Sequence, residues 1–384
     1  MLSSKVDQGV IPGYVALVAR HGQVAYFDAY GVQDPNTKKA MDRDAIFRVY
    51  SMTKPIVSVA AMALVEEGKM KLSDPVFMYL PELKDLQVVD NLADAKSPAE
   101  IKTHPAKNQI RVLDLLIHTS GFSYAFFKAF PGGGALEQQY IDNKVGEFDV
   151  TNEEFVKLLA KQPLRYEPGT TWWYSHSTDV LGRLIEVVSG MTLGEFIEQR
   201  VAGPLGMDDT SFRVAADKVD RFVQPFDDDK KGLILQYTEP TQPIKWEAGG
   251  HGLTATVMDY ARFAQMLLNK GVLDDQRVLG KKTVELMTMD HVGNVFDHGP
   301  TYLPGQNHGF GLLGAVRTEG PRAPAGLNPM DGSVGEFYWA GYAGTFFWVD
   351  PKEDLVAVYM MQSVRQLGTM SNTFKTAVEQ AIVE

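Results

Sequence analysis

Two hairpin signals at opposite ends of this 384-residue chain constrain its fold more than any other feature. Near the start, the apolar runs Tyr14–Ala19 and Gln23–Tyr30 are separated by Arg20-His21-Gly22. Near the end, Thr345–Val349 and Leu355–Met361 flank Asp350-Pro351-Lys352-Glu353-Asp354, which has strong turn chemistry. Isolated two-stranded ribbons are marginal in water, so the two hairpins are expected to join in one antiparallel sheet. The final segment, Ser371–Ile382, places Phe374, Ala377, Val378 and Ala381 at helical spacing and predicts a helix covering that sheet.

The middle of the chain has a different period. Ser51–Glu67 reads as a buried helix closed by Gly68, and Val112–Ile117 is short and apolar. Asn152–Lys161 is amphipathic, Thr178–Val188 stops at Ser189-Gly190, and Thr256–Asn269 stops at Gly271. A sheet from the termini plus a helical insert predicts an α+β fold with the site between the two parts. The expected organisation is a single domain over 1–384. Its sheet part takes roughly 1–70 plus 275–384, and a mainly helical part takes 71–274. The long loops Asp85–Asn108, Phe296–Gln306 and Thr318–Gly332 are expected to border the site or to move.

Composition excludes several functions. A net charge of -11 leaves no basic footprint for nucleic acid and disfavours an anionic membrane surface. The absence of cysteine removes disulfides, thiolate metal sites, iron–sulfur clusters and a cysteine nucleophile. The apolar run Val57–Val65 is far shorter than the roughly 20 residues that span a bilayer. The first residues, MLSSKVDQGVIPGYV, lack a basic region followed by an apolar one, so a cytoplasmic protein is expected.

The chemistry begins at Ser51-Met52-Thr53-Lys54, the only serine in the chain with a lysine three positions on. It follows the apolar run Ile46–Tyr50 and precedes Pro55, which suits a first helical turn because it lacks an N–H. Residues three apart share a helix face, so the amine can reach the hydroxyl. A hydroxyl needs a base beside it, and a lysine serves as one only when its pKa falls well below about 10.4. On spacing alone, Ser51 reads as a helix cap and Lys54 as a solvated charge. The near-uniform apolar character from Ile56 to Val65 argues instead for a buried helix and a lysine with a task.

Four blocks carry the pattern along the chain: Phe47–Lys54, which contains that motif, Asp114–Phe122 (DLLIHTSGF), Pro168–Ser175 (PGTTWWYS), and Gly249–Leu253 followed by Asp259–Phe263. Together they resemble the class C β-lactamase superfamily, most closely its esterase branch, often called family VIII carboxylesterases. The resemblance covers almost the whole chain and implies a serine β-lactamase/penicillin-binding-protein-like fold: an antiparallel sheet flanked by helices, with a mainly helical subdomain. It implies a serine carboxylesterase acting on short-chain esters through an acyl-enzyme on Ser51, without cofactor or metal. A β-lactamase, a D-aminopeptidase-like hydrolase, an acyltransferase and a non-catalytic binding homologue are the rival readings.

The resemblance also implies roles. Tyr174 shares the serine proton with Lys54, as base for attack and acid for the leaving alkoxide, and which of the two is deprotonated at rest is left open. The backbone N–H groups of Ser51 and Tyr342 would form the oxyanion hole. Trp339, Gly341, His176, Tyr124 and Trp173 would line the substrate site. Two departures stand out: Tyr174-Ser175-His176 replaces the β-lactamase Tyr-x-Asn, and Trp339-Ala340-Gly341 stands where Lys-Thr-Gly is usual. Losing a lysine that holds a substrate carboxylate favours a neutral ester.

Other signals carry less. Gly309–Gly314 matches GxGxxG, but no strand is read before it and a Pro-rich loop follows, which argues against a dinucleotide site. No Gly-x-Ser-x-Gly elbow occurs, and the eight histidines show no paired ligand spacing. His118 is expected to order the Thr119-Ser120-Gly121 turn, and His251 is read as structural ahead of lining the cleft. From the residues alone, Tyr124, Phe126 and Phe127 read as core.

Overall fold

The computed structural model describes residues 1–147, 149–231, 241–293, 296–319 and 332–383. Eight antiparallel strands form the main sheet: β1 (Gly13–Arg20), β2 (Gln23–Asp34), β3 (Lys39–Ala40), β4 (His308–Phe310), β5 (Ala315–Arg317), β6 (Phe337–Gly341), β7 (Thr345–Asp350) and β8 (Leu355–Met360). Their order across the sheet is β4-β5-β6-β7-β8-β1-β2-β3, so the chain's two ends meet at the β8–β1 pair. There Val15 faces Met360 and Arg20 faces Leu355. The first hairpin turns on His21 and Gly22 at φ of 54° and 70°. Two left-handed residues match the twist of the flanking strands.

Strands β1, β6, β7 and β8 are buried almost throughout because helices cover both faces. On one side α5 (Val257–Leu268) packs against β1, β7 and β8, with the Tyr260 and Phe347 rings 4.9 Å apart. On the other, α6 (Leu367–Ala381) sets Phe374 against Trp348 and Tyr359. The pleat sends Phe347 and Trp348 to opposite faces, which is why consecutive aromatic residues are both buried.

Helix α1 (Thr53–Glu66) bridges the two halves. It packs on α4 (Ser177–Ser189), which also carries α2 (Val112–Leu116) and α3 (Asn152–Leu159). The tertiary division therefore departs from the sequence boundaries at α5, which lies within the expected helical part yet covers the sheet. Two other expectations change. Asp85–Asn108, read as one long loop, contains a two-stranded ribbon, because Gln87–Val89 pairs with Thr103–Pro105. The Gly309–Gly314 run is the β4–β5 hairpin, not a strandless prelude to a loop. A Cβ at Gly309 would overlap the Asp290 carboxylate, whose Oδ1 accepts the Phe310 N–H at 3.0 Å. Of the loop Thr318–Gly332, residues 320–331 lie outside the described residues. No helix among the described residues is long and apolar enough to cross a membrane.

Candidate active site

Ser51 lies in a 3-10 turn, Tyr50–Met52, that runs into α1, one turn earlier than a regular helix start. Tyr50 has φ of 44°, a costly value for a residue with a Cβ, held in place from the sheet. The Val49 carbonyl accepts from Thr345 Oγ1 at 3.1 Å. A Cβ at Gly341 would come within 2.2 Å of the same carbonyl oxygen, so only glycine lets β6 approach the turn this closely. Tyr342 follows directly, its ring edge-on to Tyr50 at 6.0 Å. The two segments expected to supply oxyanion donors are thus neighbours.

Lys54 Nζ lies 3.3 Å from Ser51 Oγ and donates to the Gly250 carbonyl at 2.7 Å. It sits 4.4 Å from the centre of the Tyr174 ring and 5.5 Å from that of Tyr124. The Tyr174 hydroxyl accepts from Trp339 Nε1 at 3.3 Å, and Ser51 is near enough to pull its pKa down. The structure therefore brings Ser51, Lys54 and Tyr174 together. Lys54 is 4% exposed, and this burial lowers its amine to about 7 against the opposing pull of Asp179. Burial raises the Tyr174 phenol, with the Ser51 and Trp339 hydrogen bonds opposing it.

The Asp114–Phe122 block acts through the backbone. Asp114 pairs with Arg111 and accepts from Thr119 Oγ1 at 2.9 Å. His118, at φ of 56°, accepts the Trp173 N–H on its carbonyl and the Ser175 N–H on Nδ1. Its ring lies 4.6 Å from that of Tyr174. It thus fixes the tyrosine segment more than its own turn, and burial pushes its pKa well below the ordinary histidine value. The loop Phe296–Gln306 backs the same segment: Asp297 accepts the Trp172 N–H, and Tyr302 packs on Trp172.

Several expected substrate contacts are placed elsewhere. Trp173 is fully buried, donates to Ser123 Oγ at 3.0 Å and stacks on the Arg165 guanidinium, so it is core. His176 is 3% exposed, and its Nδ1 is 2.8 Å from Asp179 Oδ2. Neither presents a surface to a ligand, because Phe127, Tyr166 and Arg165 enclose Trp173, while Tyr124, Tyr140, Phe155 and Trp246 surround His176. Trp339, 1% exposed, holds the Tyr174 hydroxyl, and Gly341 serves the close approach to Val49. Tyr124 does lie beside Lys54 and Tyr174, its hydroxyl 3.5 Å from Asp179. His251 is buried, edge-on to Trp246, and burial lowers it to about 4.

Asp179 escaped the sequence reading. An acidic residue in a helix's first turn is explained by the helix dipole alone, and only its position on the buried side of α4 hinted at more. It is 1% exposed and accepts the Gly250 N–H at 2.8 Å. Burial would raise its carboxyl, but the His176 hydrogen bond and nearby positive charge hold it down to about 2.

A buried, weakened amine and a phenol converging on one hydroxyl define a serine hydrolase. Residues 1–380 match the family model described as Beta-lactamase. The chain belongs to the beta-lactamase family, on its serine esterase branch. It is 35% identical to Protein Rv1367c of Mycobacterium tuberculosis, covering 94% of this chain and 88% of that one. It is 30% identical to Esterase EstB of Burkholderia gladioli, over 88% of this chain and 82% of that one. Among solved structures, EstCE1, described as a hydrolase with promiscuous acyltransferase activity, is 27% identical with a TM-score of 0.77, covering 98% and 96%. Simvastatin synthase (LovD) from Aspergillus terreus, 20% identical with a TM-score of 0.78 and 100% and 97% coverage, shares the fold.

Proposed function

We propose that this protein hydrolyses short-chain carboxylic esters through an acyl-enzyme on Ser51. The observation that carries this reading is the Lys54 amine, buried against a neutral carbonyl and hydroxyl and lowered to about 7. At neutral pH much of it is unprotonated and able to take the Ser51 proton as the oxygen attacks the ester carbonyl. The phenol, raised by burial, stays protonated at rest, so we assign the resting base to Lys54 and not to Tyr174. The backbone N–H groups of Ser51 and Tyr342 would receive the negative charge. As the carbon–oxygen bond breaks, Tyr174 gives its proton to the alkoxide and regains one from Lys54. Water then attacks the acyl-enzyme, its proton returns through the same pair, and the acid leaves with Ser51 restored.

The absence of Lys-Thr-Gly in the sequence, with Trp339 bonded to Tyr174 at that place, favours a neutral ester over a carboxylate-bearing β-lactam. The likeness to EstCE1 supports a second reading, in which an alcohol replaces water as acceptor from the same acyl-enzyme. Wild-type protein and Ser51→Ala compared on p-nitrophenyl butyrate and a chromogenic cephalosporin test the choice, with added alcohol reporting transfer. Serine-dependent butyrate turnover is expected. Turnover of the cephalosporin alone would reverse the assignment.

A further inference from the structure

We propose that Asp179 is a positioning residue of this site: through the Gly250 peptide it holds the Lys54 amine against Ser51 and sets the pH at which that amine takes a proton. The inference rests on Lys54 being the base. Asp179 lies in the first turn of α4, whose N-cap residue is His176. One carboxylate oxygen accepts the Gly250 N–H at 2.8 Å, and the other meets His176 Nδ1 at 2.8 Å and the Tyr124 hydroxyl at 3.5 Å. The carbonyl of the same Gly250 accepts from Lys54 at 2.7 Å. Residue 250 is thus held on its N–H by a carboxylate from α4 and on its C=O by the amine from α1.

Glycine is required there for a physical reason. A Cβ at residue 250 would stand 2.7 Å from the Tyr124 hydroxyl and 2.8 and 3.0 Å from the Asp179 oxygens. Three histidines also face this cluster. Burial lowers all three, His118 well below the ordinary histidine value and His251 to about 4, while the Asp179 carboxylate opposes the fall at His176. The Tyr124 and Tyr174 phenols are raised by burial and keep their protons. Asp179 is then the charge that faces Lys54, and it opposes the effect of burial on the amine. A carboxylate 4–6 Å from a cation typically moves a pKa by about one to three units.

Folded Asp179→Asn and Asp179→Glu would be compared with wild type in the pH dependence of kcat/KM on p-nitrophenyl butyrate and of fluorophosphonate labelling. The expected result for Asp179→Asn is an acid limb moved to lower pH by about one unit, with a plateau reduced about tenfold. Asp179→Glu should keep the charge and return the limb towards the wild-type position. An Asn variant with reduced activity but an unmoved limb would make Asp179 merely structural and overturn the proposal. Should Asp179→Asn lose the native circular dichroism spectrum, Gly250→Ala reads the same contact by pushing the carboxylate off the peptide, and the same acidward shift is expected. Wild-type protein that resists the fluorophosphonate would instead overturn the functional reading itself, which keeps the two failures distinct.

Discussion

Two lysines are buried among the described residues, at opposite sides of the sheet, and they do different things. Lys375, on α6, is fully buried and donates to the equally buried Glu336, with the Trp348 ring 5.2 Å away. Lys54 is nearly as buried, but its hydrogen bonds go to a hydroxyl and a peptide carbonyl. The Asp179 carboxylate is close enough to influence it yet is occupied by Gly250 and His176. A buried amine that touches a carboxylate ties two elements together. One that touches neutral acceptors is poised to lose its proton. Burial pushes the Lys54 amine down, and its neutral acceptors put no charge in contact with it to offset that push.

That contrast can be broken by substitution. Lys54→Met should cost turnover on the order of 10²–10⁴-fold at pH 8, the usual worth of a positioned acid–base group, with little change in the denaturation midpoint. Lys375→Met should do the opposite. Removing one partner of a buried pair costs about 3–5 kcal/mol in urea unfolding, while the folded fraction keeps its specific activity. A Lys54→Met protein that unfolds alongside a robust Lys375→Met protein would dissolve the distinction.

Smaller effects sharpen it. Only the unprotonated Lys54 amine can accept the serine proton, and its pKa sits near 7, so kcat/KM should rise with pH through that value. From pH 6 to pH 8 the expected gain is about tenfold, and a flat profile in a stopped-assay series would remove Lys54 as the base. Trp339→Phe deletes the donor to the Tyr174 hydroxyl while keeping an aromatic ring. One lost hydrogen bond of about 1 kcal/mol predicts a several-fold fall in turnover, with the acid limb unmoved because Lys54 sets it.

The elements of the fold were legible where local chemistry and burial agree. His21-Gly22 has the residues a tight hairpin demands, and Gly68 and Gly190 mark helix ends with φ of 67° and 75°. The two terminal hairpins predicted their shared sheet because neither could bury its apolar faces alone. The hairpin Gln87–Val89 with Thr103–Pro105 was missed because each strand has only three residues, too few to show a period. At the site, the Ser51–Lys54 spacing was visible as such, whereas Trp173 and His176 were misplaced. Trp173 and Tyr174 are neighbours whose rings go to different surroundings, and His176 is the N-cap of α4, so nothing local says which of them faces the cleft.

By itself, the sequence determined an α+β chain whose ends share a sheet, with a serine and a lysine on one turn beneath an apolar helix. Periodicity, turn residues and a three-residue spacing are local properties, readable before any long-range contact forms. Only the tertiary structure decided which charges face Lys54, that Asp179 and Gly250 meet across 71 positions of chain, and that His118, His176 and His251 are buried with their proton affinities lowered. Proton affinities depend on the dielectric and the partners within a few ångströms, and those are assembled from residues far apart in sequence.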